Sequence, residues 1–327
     1  MKKFYGYACC IVINAACDIT TYAQSSSTLT AGDIVVEGDK ASAAQAPALV
    51  VDENHLQNKG LSSLGESLSN QVGINSTGYG AAATRPVIRG LEGARVEIMQ
   101  NGMSTGDVSA ISNDHSVPGD AIGASQIELL RGPAALAYGS ASSAGLINIR
   151  NDRIASELPV TTSVIAQGYV GSVDQSTQSS GMTESKVGSL AIRADFSQKN
   201  QGDYLAPSGA HLPLSFLDQK DYGFGMSSIR DDGYLGISVV QHKNFYGIPS
   251  LEGSKIDQTQ NRYDLAYLTK HPVEGVHEIK WQLGYTDYAH DELNPSNGVA
   301  QSRFTNRQLE SRLDVSHEKY YGWQGNI

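Results

Sequence analysis

"IELLRGPAALAYGSASSAGLINI" (residues 127–149) decides how this chain is read. Alternating apolar residues at its two ends predict two strands, because successive strand residues face opposite sides. Between them stands Arg131-Gly132-Pro133, where proline fixes φ and removes a backbone donor, so the first strand stops there. The run that follows, with Tyr138, Gly139, Ser140, Ala141, Ser142, Ser143 and Gly145, is nearly free of bulk. Small residues and glycines let a backbone approach a neighbouring surface closely. The stretch alone does not say what needs so rigid a corner beside so many small residues; the rest of the chain narrows the choice.

Upstream, "LSSLGESLSNQVG" places Leu61, Leu64 and Leu68 at spacings of three and four. This predicts a short amphipathic helix stopped by Gly73. "RPVIRGLEGARVEIMQNGMS" reads as two short strands with Gly90 and Gly93 between them, and Asn101-Gly102 as a turn. "AIGASQIELLRG" reads as a helix or turn leading into a strand. Residues 46–153 are expected to form one α+β domain.

Beyond about residue 158 the texture changes. "TSVIAQGYVG", "GSLAIRADFSQ", "YGFGMSSIR", "GYLGISVVQHK", "RYDLAYLTK", "HEIKWQLGYTDYAH" and "RQLESRLDVSH" alternate apolar and polar residues. In "EIKWQLGY" one face carries Ile279, Trp281, Leu283 and Tyr285; the other carries Lys280, Gln282 and Gly284. The connections "DDG" and "HPVEG" are short, whereas "YLAPSGAHLPLSFLDQ", "IPSLEGSKIDQ" and "DELNPSNGV" read as long polar loops. Short turns on one side and long loops on the other predict an antiparallel transmembrane β-barrel. Tyr246 and Tyr288, near segment ends, are expected in its interfacial aromatic girdle. A soluble β-sandwich also alternates, and is the competing fold.

The first residues read as an export signal, residues 1–23. Lys2 and Lys3 precede the apolar run "GYACCIVINAAC", and Ala23 stands at a plausible cleavage point. The three cysteines, Cys9, Cys10 and Cys17, all fall there, so nothing downstream forms a disulfide or thiolate site. Residues 24–45 read as a flexible segment around one short apolar patch, "GDIVVEGD". Lys plus Arg total 24 against 34 Asp plus Glu, a formal charge of −10, which argues against a nucleic-acid partner.

Export signal, short patch, α+β domain with "RGP…YGS…AGLINI", then hairpins: together these resemble a TonB-dependent outer-membrane receptor. The resemblance covers about residues 30–327. It implies an α+β plug domain inside a β-barrel, with Arg89, Gly90, Arg131, Gly132, Pro133, Tyr138, Gly139 and Gly145 as structural plug residues. Arg131 is expected to hold partners through its planar guanidinium. The patch then looks like the TonB box, formed by Asp33, Ile34, Val35, Val36 and Glu37, which a TonB-type energy transducer grips. The implied location is the outer membrane and the implied role is active transport; no covalent chemistry or cofactor is required.

Within the family, "ISNDHSVPGDAI", "NFYGIP" and "LGYTDYAHDEL" resemble the zinc-uptake subset. That resemblance makes Asp114 and His115 candidate metal ligands in the plug. His290, Asp291 and Glu292 lie at the loop end of a strand, where one of them is placed to close over the same site. Imidazole nitrogen and carboxylate oxygen suit Zn²⁺. The loop after "YGIP" has no histidine, so metal capture by that loop is not implied. A siderophore, haem or other metal-complex receptor of the same family is the alternative. A soluble periplasmic binding or adhesin domain is the alternative of another class.

Two enzyme motifs are weak. "GYGAAA" (residues 78–83) has no preceding hydrophobic strand, and Arg85-Pro86 follows where a helix should run. "ASSAG" (residues 141–145) lacks the surrounding parallel strands of a hydrolase. The family's barrel has about 22 strands, and the segments above supply about eight or nine. At about 20 residues per strand and connection a whole barrel needs roughly 450 residues. The chain is therefore expected to be a fragment, residues 154–327 being an incomplete barrel that does not close alone.

Overall fold

The computed structural model of the protein describes residues 48–52, 56, 63–118, 123–136, 138, 143–250, 252–321, 323 and 325. The export signal, the box residues 33–37 and Gly139 lie outside these.

The N-terminal part is built on a five-stranded mixed sheet in the order β1-β6-β7-β4-β5. Its strands are β1 (Leu49–Asp52), β4 (Val96–Gln100), β5 (Met103–Ser104), β6 (Gln126–Leu130) and β7 (Gly145–Arg150). The pair β2 (Ile74–Ser76) and β3 (Pro86–Ile88) forms a separate small ladder. The opening stretch supplies β6, the short helix α2 (Pro133–Leu136) and β7. β7 pairs antiparallel with β6 and parallel with β4. Gly145 makes this possible: its φ is 130°, and a β-carbon there would lie 2.9 Å from the Leu130 carbonyl oxygen.

The helix expected upstream is α1 (Leu64–Leu68), with Ser63 accepting a hydrogen bond from the Glu66 amide as its N-cap. Gly73, at φ 76°, turns the chain into β2. Leu64, Leu68, Ile74, Ile88, Val96, Ile98, Ile127, Leu129, Ile147 and Ile149 close into one buried core.

The C-terminal part is a single eight-stranded antiparallel sheet in strict sequence order. It runs from β8 (Ser163–Val170) and β9 (Thr177–Val187) through β10 (Leu190–Gln201), β11 (Leu217–Arg230), β12 (Gly233–Ile248), β13 (Ser254–Lys270) and β14 (Val276–Leu293) to β15 (Ala300–His317). No described helix is long and apolar enough to cross a membrane. At about 3.3 Å per residue β14 is ~59 Å long, ample for a tilted span. Among the described residues the sheet is open, with β8 and β15 at its edges.

The two faces of this sheet settle its environment. One face exposes Phe224, Leu235, Ile237, Val239, Tyr263, Trp281, Tyr285, Leu309 and Leu313. The other buries Ser238, His242, Asn244, Gln258, Gln260, Arg262, Gln282, Thr286 and His290. A soluble sandwich has the reverse polarity, and an outer-membrane barrel has this one.

Two expectations are corrected, and one strand was not foreseen. Tyr246 and Tyr288 are not in a girdle: both are fully buried on the polar face. Each is an even number of residues from polar-face neighbours, Asn244 and His290, and parity outranks nearness to a strand end. The outward aromatics are their odd-spaced neighbours, such as Phe245 and Tyr285. "IPSLEGSKIDQ" is not a long loop either. β12 reaches Ile248 and β13 begins at Ser254, its polar residues extending the strands. β9 is invisible to alternation because "TQSSGMTESKV" carries almost no apolar side chains.

A metal-ligand cluster where plug loop meets wall

The mixed sheet leans on the polar face of the antiparallel sheet, and the segment after β5 makes the closest contacts. Arg262 donates to the Ser104 carbonyl at 2.6 Å, and Gln260 to the Thr105 carbonyl at 2.9 Å. Asn306 donates to the Gly106 carbonyl at 3.1 Å, and Glu310 accepts from the Ser104 amide at 2.9 Å. Gly106 is left-handed (φ 66°), and a β-carbon there would meet the Thr286 side chain at 2.9 Å.

The next residues, 107–118, form a loop shaped by its own side chains. Asp107 accepts from the Ser109 amide at 2.7 Å and from the Thr105 hydroxyl at 2.6 Å. Two wall residues then grip the loop around His115. The Tyr246 hydroxyl accepts from the Ser116 amide at 2.8 Å and donates to the Asp114 carbonyl at 3.1 Å. Asn244 donates to the Ser116 hydroxyl at 3.1 Å.

His115 is thereby carried to the C-terminal end of β14. Its ring lies 4.4 Å, centroid to centroid, from that of His290. Its Nε2 stands 3.2 Å from Glu292 Oε1. One ligand atom from each of His115, His290 and Glu292 falls within 4.8 Å of the others. Both histidines are nearly inaccessible, and the Glu292 side chain is 26% exposed.

The rings are oriented from behind. His115 Nδ1 faces the Val108 carbonyl at 3.5 Å, while its Nε2 is turned to Glu292. His290 Nδ1 lies 2.8 Å from the Tyr288 hydroxyl, and its Nε2 has no hydrogen-bond partner among the described residues. Phe304 stacks on His290 at 4.7 Å and meets His115 edge-on at 5.3 Å. Fixing one ring nitrogen through an outer hydrogen bond is the usual way of presenting the other to a metal.

Of the five candidate ligands, three meet. Asp114 Oδ1 is 3.9 Å from His115 Nε2 and is bonded by the Ser112 hydroxyl, beside the cluster. Asp291 faces the opposite side of β14, 3.6 Å from Arg303. One step along a strand reverses the face, so His290 and Glu292 cannot share it with Asp291. Tyr288 and Phe304 escape sequence reasoning as site residues, because only strand register brings them there.

The plug motif residues are placed as follows. Arg89 (φ 50°) and Gly90 (φ 81°) form the turn after β3, where the Arg89 amide donates to the Gly73 carbonyl. Gly132 (φ 60°) and Pro133 open α2. The Arg312 guanidinium lies over the Tyr138 ring at 4.7 Å. Arg131 Nε and one terminal nitrogen have no hydrogen-bond partner among the described residues. Burial, then the like charge of Arg89, lowers its pKa from the ordinary arginine value. The segment "GYGAAA" is no phosphate loop; Ala81, Ala82 and Ala83 pack with Leu217, Tyr246 and Ile248.

Residues 40–146 match the family described as TonB-dependent Receptor Plug Domain. A curated relative, the vitamin B12 transporter BtuB of Photobacterium profundum, is 28% identical over 281 residues, covering 83% of this chain and 41% of that protein. Among solved structures, the copper transporter OprC has a TM-score of 0.69 at 15% identity, covering 82% of this chain and 43% of its own. A mutant of the ferric enterobactin receptor PfeA from Pseudomonas aeruginosa has a TM-score of 0.66 at 14% identity, covering 86% and 48%. The structural likenesses establish the fold, and this chain spans less than half the length of each of the three. Plug match, polar-inside sheet and relatives agree on the fold: residues 40–146 match a TonB-dependent receptor plug domain, and the antiparallel sheet matches part of the β-barrel of such receptors.

Proposed function

We propose that the whole receptor takes up a divalent metal ion, zinc favoured, across the outer membrane by TonB-dependent transport. His115, His290 and Glu292 are its ligands, and Asp114 is an outer carboxylate. The single observation supporting this is the meeting of His115 with Glu292, 177 residues apart, in a group of three ligand atoms whose two histidines are buried. Two imidazoles and a carboxylate are a zinc-type donor set with no soft sulfur.

The site joins a plug loop to the wall, so a bound ion makes contacts that span the two. Plug rearrangement then has to break them. The TonB box at residues 33–37 is the point at which the energy transducer pulls, and the extracted plug opens the path. The alternative, a siderophore or haem receptor, draws on relatives named for ferric enterobactin; relatives named for vitamin B12 and copper extend the range.

Calorimetric titration of the intact receptor with zinc tests the reading. His115→Ala and His290→Ala are expected to weaken binding at least tenfold, and Asp114→Ala to weaken it less. Equal zinc affinity in wild type and both histidine variants overturns the site. Deleting residues 33–37 is expected to abolish uptake while leaving zinc binding unchanged; uptake that survives moves the box elsewhere.

A further inference from the structure

We propose, resting on the metal reading above, that Gln258 of β13 supplies a fourth donor to the same ion through its amide oxygen. Gln258 is fully buried. Neither its amide oxygen nor its amide nitrogen has a hydrogen-bond partner among the described residues. A buried amide without partners is less favourable than an alkyl group of the same shape, so such a residue in a wall needs a reason.

Its place in the sheet supplies one. Gln258 stands directly opposite His290 in the β13–β14 ladder and directly opposite Asn244 in the β12–β13 ladder. Directly opposed antiparallel residues have β-carbons about 4.5–5.5 Å apart on the same face. Two further buried atoms in this lateral row also lack partners among the described residues: Asn244 Oδ1 and His290 Nε2. Asn244 already spends its amide nitrogen on Ser116, so only its oxygen is open.

One arrangement satisfies all three. The Gln258 amide nitrogen donates to Asn244 Oδ1, its oxygen turns to the ion, and His290 Nε2 binds the same ion. With His115 and Glu292 this makes four light-atom donors, the number zinc prefers. Asp114 is the weaker fourth candidate, since its carboxylate is engaged by Ser112 and is 35% exposed. A neutral amide also leaves the site one charge short of neutralising a dication, which favours release over permanent retention.

The test uses the full-length receptor in detergent, titrated with zinc chloride, alongside its thermal unfolding without metal. Gln258→Leu is expected to lower zinc affinity about tenfold or more while leaving metal-free stability equal or higher. Gln258→Glu is expected to keep or raise the affinity, because it retains the oxygen. If Gln258→Leu folds poorly, Gln258→Met is read instead. Zinc-edge X-ray absorption then shows two imidazoles and two oxygens in wild type and one oxygen fewer in Gln258→Met. Wild-type affinity in Gln258→Leu, with His290→Ala weakened, overturns this proposal alone. Equal affinity in wild type and His290→Ala overturns both readings.

Discussion

At the scale of single residues, the cluster depends on which nitrogen each imidazole presents. The Tyr288 hydroxyl at 2.8 Å from His290 Nδ1 holds that ring by the nitrogen away from the ligands. Tyr288→Phe keeps the ring and the packing but removes the hydroxyl. It is expected to weaken zinc binding about tenfold, less than His290→Ala, as read by calorimetry. A second residue carries a pH dependence. Burial first, then Asp107 and Glu310, raise the Glu97 carboxyl pKa above its ordinary value. Between the unfolded and folded pKa the folded form binds more protons, so stability falls as pH rises through that window. Glu97→Gln removes the loss. The variant is expected to show a flatter stability–pH profile there, measured by thermal unfolding of the receptor across mildly acidic pH. The histidines and carboxylates were legible in the sequence as residue types, but Gln258 and Phe304 carry no local signal of a site.

At the scale of elements, the strands β13–β15 and the segment after β5 act as one fastening. Arg262, Gln260, Asn306 and Glu310 all bond to the backbone of residues 104–106. Arg262→Ala is expected to leave the strands intact while raising amide hydrogen exchange in residues 103–118, because it removes a charge-assisted bond. Unchanged protection there would show that the segment is fixed by other means. A second fastening lies where the plug hands over to the sheet. Arg153 and Asp195, both buried, form a forked pair at 2.8 and 2.6 Å. Breaking such a pair strands a buried charge, so Arg153→Ala is expected to cost about 3–5 kcal/mol, read as a lowered unfolding midpoint. Strand existence was legible wherever alternation was clean, as in β12 and β14. It failed for serine- and threonine-rich β9, and loop lengths failed where polar strands run past the bilayer.

At the scale of the whole molecule, the N-terminal part has an ordinary apolar core, whereas the antiparallel sheet turns its polarity inside out. Val239 sits mid-strand on the exposed apolar face of β12, and its neighbour Ser238 is buried on the polar face. Val239→Arg is expected to cost about 2–4 kcal/mol if it lies near the bilayer midplane, measured by urea titration of folding into lipid vesicles. An effect near zero would place that face in water. By itself the sequence determined the plug helix α1 and the strands β3, β4, β6 and β7, the alternation of the wall, and the family resemblance. Those follow from periodicity and turn chemistry, which act between residues a few positions apart. Only the tertiary structure decided that Tyr246 and Tyr288 face inward. Likewise it decided that Asp291 turns away, and that His115 meets His290 and Glu292. Those depend on strand register and on where a loop lands against a wall, and such long-range pairings leave no trace in local spacing.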